Sequence, residues 1–205
     1  MAMAVFPTKG NLINTKKSLS LARLGFDLMD RKRNILVREM TSLIDSAKSI
    51  RDEIDTTFAT AYKALQMANI TLGVCGDIAK GIEIDYGVKV VYRSVMGVEI
   101  PKVILDSEIN PRAYGFSGTN TQLDIAYLSF HRAKHISAAL AEIENGVYRL
   151  ANEIKKTQRR ANALKNIIIP QFEETVKFIT DALEEKEREE FSRLKVIKSS
   201  KQKAE

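Results

Sequence analysis

Tryptophan is absent, cysteine occurs once and histidine twice among 205 residues. With Cys75 alone, no internal disulfide can form, and a reducing compartment is the expectation. Cys75 has no second cysteine or histidine at metal-ligand spacing and reads as a small apolar filler. Aromatics make up only 7% of the chain, which suits a thin helical core better than a thick globular one. His131 and His135 stand four apart, a spacing at which two imidazoles on one helix face bind zinc. No Glu follows the first in an H-E-x-x-H pattern, so ordinary surface or seam histidines are expected. No P-loop and no G-x-G-x-x-G occurs. Gly115-Phe116-Ser117-Gly118 lacks the glycines two either side of the serine that a nucleophile elbow needs. No run approaches the ~18 apolar residues of a membrane span. Met1 to Gly10 lacks a basic region followed by a long apolar stretch, so no secretory signal is read there. Together these absences exclude the recognised catalytic constellations. No catalytic residue, cofactor or metal is expected, and a cytoplasmic protein without membrane insertion is the simplest class.

Proline is also missing between Asn11 and Ala68, and that stretch carries the strongest pattern. Leu12, Leu19, Phe26, Met40, Ala47, Ile54, Ala61 and Ala68 recur at sevens. Three residues after the members of this series come Thr15, Ala22, Met29, Leu36, Leu43, Ile50, Thr57 and Ala64. Alternating steps of 3 and 4 held this long predict a coiled-coil seam rather than the wider stripe of a globular surface helix. At 1.5 Å per residue the helix would be roughly 85 Å long. Arg33 is the one charge in the seam. A second series runs through Ala133, Ile136, Leu140, Ile143, Val147, Leu150, Ile154, Thr157, Ala161, Leu164 and Ile168. From Leu164 it continues through Ile168, Phe172, Val176, Ile179 and Leu183 by steps of 4, 4, 4, 3 and 4, and the three successive fours are a stutter that unwinds a left-handed supercoil. Pro170 lies inside the stutter. It lacks an N–H and crowds the carbonyl of Asn166, so a kink is expected there.

Between the two patterns the composition changes. Seven of the ten glycines fall from Gly73 to Gly118. Val88–Ser94 and Val98–Val103 read as hairpin strands, with Met96-Gly97 in the turn because glycine tolerates positive φ. Pro101 cannot donate to a ladder, which makes its strand an edge. Asn110-Pro111 is a loop signal, and Asn120 or Thr121 supplies the N-cap of the second helix. The fold class is therefore mainly α: a long antiparallel two-helix coiled coil from the N- and C-terminal helices, with a small mixed middle region. The expected organisation is a tail over 1–10, helix over 11–70, middle region over 71–120 with its hairpin near 88–103, helix over 121–198 and a disordered tail over 199–205.

The net charge is +6, and the excess is uneven. Lys9, Lys16, Lys17, Arg23, Arg31 and Lys32 crowd the start of the first helix. Such a face meets an acidic protein surface, an anionic membrane or nucleic acid; solvated coiled-coil flanks are the plainer reading. Arg33 is costly in a seam unless its head finds water or a carboxylate. Setting Leu12 against Lys195–Lys198 brings Arg33 beside Glu173 or Glu174, and pairing with one of these is expected.

Several strings carry a family resemblance. Phe6-Pro7-Thr8-Lys9, with Leu12, Lys16, Leu19, Ala22, Gly25, Leu28, Lys32-Arg33 and Leu36, resembles the opening of the D subunit of the V-type and A-type ATPases. Val95-Met96-Gly97-Val98-Glu99-Ile100-Pro101 resembles that family's mid-chain hairpin. Arg159-Arg160-Ala161-Asn162-Ala163-Leu164 through Ile169-Pro170, Thr175, Ile179 and Glu187-Arg188-Glu189-Glu190-Phe191 resembles its C-terminal signature, with Ala161 where many relatives have Val. The resemblance implies a non-catalytic central rotor shaft that turns inside a hexamer of A and B subunits and couples ATP hydrolysis or synthesis to ion transport. It implies a peripheral position at the membrane, with the small F subunit of the central stalk and a funnel-shaped subunit on the membrane ring as further partners. It makes the basic cluster on the first helix the hexamer-facing candidate. Val88, Tyr92, Met96, Gly97 and Ile100 become hairpin candidates for partner binding. A prefoldin-like chaperone or scaffold subunit is the alternative, disfavoured by helix length. Nucleic-acid binding is disfavoured because the middle segment offers no platform of clustered aromatics.

Overall fold

A computed structural model describes residues 6–105, 109–110 and 113–204. Its order is α1 (Lys9–Leu72), α2 (Gly76–Lys80), β1 (Val88–Val95), β2 (Val98–Leu105), α3 (Thr121–Ala163), a π-helical turn (Leu164–Ile168) and α4 (Ile169–Ala204). Pro111 lies outside the described residues. The final helix runs past Lys198, where the sequence pattern predicts the start of a disordered tail. Nothing after Pro170 is a proline or glycine, so no residue there breaks the helix.

The fold class is the expected one: long helices from the two ends of the chain pair antiparallel, and a two-stranded hairpin lies between them in sequence. Each apolar or threonine seam position, from Leu12 to Ala68 and from Ala133 to Leu183, is buried or half-buried, while most of its neighbours are exposed. The chain divides into two units, Met1–Arg33 with Lys155–Glu205 and Asn34–Ile154, and each is described by itself.

In the first unit the start of α1 runs against the end of α3 and α4. Thr8 Oγ1 accepts from the Asn11 amide and caps α1, as an N-cap hydroxyl does. Ala22, Thr157, Ala161 and Ile179 are buried between the helices. Lys9 pairs with Glu187 at 3.0 Å and Arg23 with Glu173 at 2.6 Å. Both pairs are well exposed and contribute ~1 kcal/mol at most, and they mark the register. That register corrects one expectation. Arg33 does not meet Glu173 or Glu174; it holds Asp30 at 2.6 Å and donates to Gln158 Oε1 at 2.9 Å. The expected alignment assumes that the two helices end together. Instead α1 starts opposite Glu187, and α4 continues beyond it to Ala204.

The stutter takes a definite form. Ile169 N–H bonds to Leu164 O, five residues back, so the turn before Pro170 holds one extra residue. The wider turn eases the clash between the proline ring and the preceding carbonyl. It also resets the face, so that Phe172, Val176 and Ile179 stay on the seam.

In the second unit the rest of α1 packs on α3. Ala61, Ala68, Ala126 and Ala133 are nearly fully buried, which lets the backbones approach closely. Gly73 adopts φ 81° and its N–H bonds to Asn69 O, ending α1 in the left-handed conformation glycine tolerates. Asn120 is the N-cap of α3: its Oδ1 accepts from the Leu123 amide at 3.1 Å, while its Nδ2 donates to Thr71 Oγ1. The hairpin packs on the helices through Val98 and Ile100, which join Leu36 and Leu150 in one cluster with Met40, Leu43, Val95 and Ile154 around it. A Cβ on Gly146 would lie 3.1 Å from Ile100 Cγ2 and 3.2 Å from Leu43 Cδ1. Glycine there is what lets β2 press against α3.

Candidate partner-binding surfaces

The described residues contain no group of three or more His, Cys, Asp or Glu placed to hold a metal. The His131 and His135 rings have centroids 4.7 Å apart and planes tilted by 55°. Among the described residues, apolar surface lies outside the seams, and four such places stand out.

The first is the overhang of α4. Every residue from Glu184 to Ser200 is exposed. Phe191, Leu194, Val196 and Ile197 are each more than half exposed. An amphipathic helix normally hides such residues; here the chain provides nothing to cover them among the described residues. The seam series ends at Leu183; Phe191 and Leu194 share the face of Glu187 but lie past the start of α1, which begins opposite Glu187.

The second is a stripe on α1 away from its seam. Leu21, Leu24 and Leu28 are each more than half exposed, at steps of 3 and 4 that align them on one helix face. Of the basic residues expected on this helix, Lys16, Lys17 and Arg31 are exposed and ion-pair with no described residue. Lys9 and Arg23 are engaged across the coiled coil, and Lys32 is half-buried. The stripe is thus apolar in its middle and cationic at its ends.

The third is the hairpin. Met96 at φ 51° and Gly97 at φ 79° form its two-residue turn, the twist-matched geometry for tight hairpins. Val88, Tyr92 and Met96 are about half exposed. Ile100 is not a surface residue: it is buried at 4% against Leu36 and Leu150, so it belongs to the hairpin's anchor. Arg93 reaches Glu39 on α1 at 2.5 Å, and the Arg149 guanidinium lies 5.3 Å over the Tyr92 ring.

The fourth lies where α1 gives way to α2. An apolar recess of about 460 Å³ is lined by Leu65, Cys75, Ile78, Tyr114, Leu123 and Phe130, among others. Ile70, Val74 and Phe116 stand exposed in the same segments. Tyr114 donates to Asp124 at 2.5 Å. Burial, then the hydrogen bond and charge of Asp124, push the phenol well above its ordinary range.

No described helix is long and apolar enough to cross a membrane. The sequence model of the family described as the D subunit of ATP synthase matches residues 11–199. The V-type ATP synthase D subunit of Thermotoga neapolitana is 48% identical over 96% of this chain and 98% of its own. The A-type ATP synthase D subunits of Thermococcus kodakarensis and Methanosphaera stadtmanae are 38% and 37% identical. Each match covers 95% of this chain, and 94% and 93% of theirs respectively.

Proposed function

The chain belongs to the ATP synthase D-subunit family, and from that membership we propose that it is the central shaft of a rotary V/A-type ATPase. It turns inside a hexamer of A and B subunits and transmits torque between ATP chemistry there and ion movement at the membrane. It has no catalytic residue of its own and works as a peripheral component on the cytoplasmic side.

The observation that carries this reading is the bare end of α4. A single helix with exposed Phe191, Leu194, Val196 and Ile197 is a poor object in water and a good one inside an apolar sleeve. The burial of four such side chains contributes on the order of 1.5–3 kcal/mol each. A ring of subunits supplies a sleeve without a fixed rotational partner. The stripe of Leu21, Leu24 and Leu28 with Lys16, Lys17 and Arg31 supports contact with the same hexamer lower on the shaft. The apolar recess by Cys75 and Tyr114 supports docking of the funnel-shaped partner, and the hairpin supports a stalk partner such as the F subunit. Arg33 and Pro170 serve the shaft itself. Arg33 ties α1 to Gln158, and Pro170 sits just after the π turn that keeps the seam in phase.

The test is truncation after Leu183. The shortened chain is expected to keep its coiled coil, since the removed residues bury nothing against it. Assembly with the A and B subunits should weaken and ATP-driven ion transport should be lost. Normal transport by the truncated assembly would refute the sleeve reading.

A further inference from the structure

The two edges of the hairpin are finished differently. With a two-residue turn, Val95 and Val98 exchange hydrogen bonds, and so do Arg93 with Ile100, Val91 with Lys102 and Lys89 with Ile104. The alternate residues point their backbone groups outward. On β2 those outward groups are engaged by α3 or lack a donor. Glu99 O accepts from Arg149, Pro101 has no N–H to satisfy, and the Val103 amide donates to Glu142 Oε2 at 2.7 Å. Helix α3 closes that edge. On β1 the outward residues are Val88, Val90, Tyr92 and Ser94. The backbone groups of Val90, Tyr92 and Ser94 have no partner among the described residues. No proline or bulge interrupts this edge, and the side chains beside it are half-exposed valines and a tyrosine. An edge of this length left open and apolar is a template for another strand.

Charge identifies the occupant. Lys89 and Arg93 share one face of β1, and Val88, Val90 and Tyr92 share the other. Two copies of the chain pairing edge to edge, centred on Val91, would join every outward group from Val88 to Ser94. That register also sets Lys89 of each copy against Arg93 of the other, and like charges directly opposed destabilise a pair. An acidic residue in the same place is favoured; the Arg93 fork keeps donors beyond the one that holds Glu39.

We propose that the outer edge of β1 is a strand-addition site, at which Val90, Tyr92 and Ser94 hydrogen-bond an extended segment of another protein of the assembly that alternates apolar and acidic residues. The main chain supplies adhesion, and the alternation supplies selection. The site rests on the reading of the hairpin as a partner surface and states how the partner is held.

Residue-resolved hydrogen exchange on the isolated chain and on the assembled ATPase tests it. In the isolated chain the Lys89, Val91 and Arg93 amides are protected and the Val90, Tyr92 and Ser94 amides are not. On assembly the second set should slow by on the order of 100-fold. Val90→Pro removes one outward N–H and leaves the inner ladder whole. It should weaken incorporation roughly tenfold or more, while Val90→Thr, which keeps the N–H, incorporates like the parent. Protection at Val91 and Arg93 in the Val90→Pro chain verifies that its hairpin is folded. Outward amides that stay fast in the assembly overturn the proposal. So does protection that grows with concentration in the isolated chain, which would make the occupant a second copy. If deleting residues 88–103 impairs assembly and Val90→Pro does not, the hairpin binds by its faces and only strand addition is wrong. If neither matters, the hairpin reading falls as well.

Discussion

Gly146 offers a direct contest between local preference and tertiary packing. It sits in the interior of α3, where glycine costs ~1 kcal/mol relative to alanine. Local preference alone therefore predicts that Gly146→Ala stabilises by that amount. The new Cβ would meet Ile100 Cγ2 at 3.1 Å and Leu43 Cδ1 at 3.2 Å. Both are tips of side chains, so each must retreat a few tenths of an ångström. The two effects nearly cancel for alanine, and a change within about 0.5 kcal/mol is expected. Gly146→Leu adds further carbons where Ile100 and Leu43 already fill the space. Overpacking of this kind costs ~1–3 kcal/mol, and the hairpin must shift to relieve it. Urea unfolding followed by circular dichroism reads the stability, and exchange at the Val98 and Ile100 amides reads the hairpin. Gly146→Leu should lower stability and speed exchange at Val98 and Ile100, with no effect near Thr57 or Ala61. A Gly146→Leu protein as stable as the parent, with hairpin exchange unchanged, would refute the packing argument.

Three further outcomes are expected. Leu36→Ala, at a fully buried position, should cost ~2–5 kcal/mol, whereas Leu21→Ala should leave stability within ~0.5 kcal/mol and weaken assembly with the A and B subunits; denaturant melts and co-purification separate the two. Tyr114 has a folded-state pKa raised above the unfolded one by burial and by Asp124. Its contribution is therefore fully present below the unfolded value of about 10 and falls as pH rises beyond it; melts in that alkaline range should show a shallower loss for Tyr114→Phe. Pro170→Ala restores an N–H and should raise thermal stability, yet the π turn should persist in its structure, because straightening it would rotate Phe172, Val176 and Ile179 off the seam.

The helices are legible in the sequence because burial acts on each turn of the seam in the same way. Leu12 to Ala68 and Ala133 to Leu183 mark the buried faces without any knowledge of the partner helix. Register is not legible, because periodicity is unchanged when one helix slides along the other by a heptad. An alignment from the helix ends accordingly sets Arg33 against Glu173, while Gln158 and Asp30 hold it. The stutter indicates a change of twist, but its form depends on where the proline ring meets the backbone. In the hairpin, Met96-Gly97 announces the turn. The burial of Ile100 and the closing of the β2 edge by Glu142 and Arg149 depend on α3, far away in sequence. The exposed residues of α4 and the Leu21–Leu28 stripe follow from no seam.

The proposed rotation can be tested directly. A bead is attached through a cysteine substituted for Met96, and the assembly is fixed to glass through its A and B subunits. Supplying ATP should then turn the bead steadily in one direction. ATP hydrolysis at the normal rate with the bead stationary would contradict the shaft assignment.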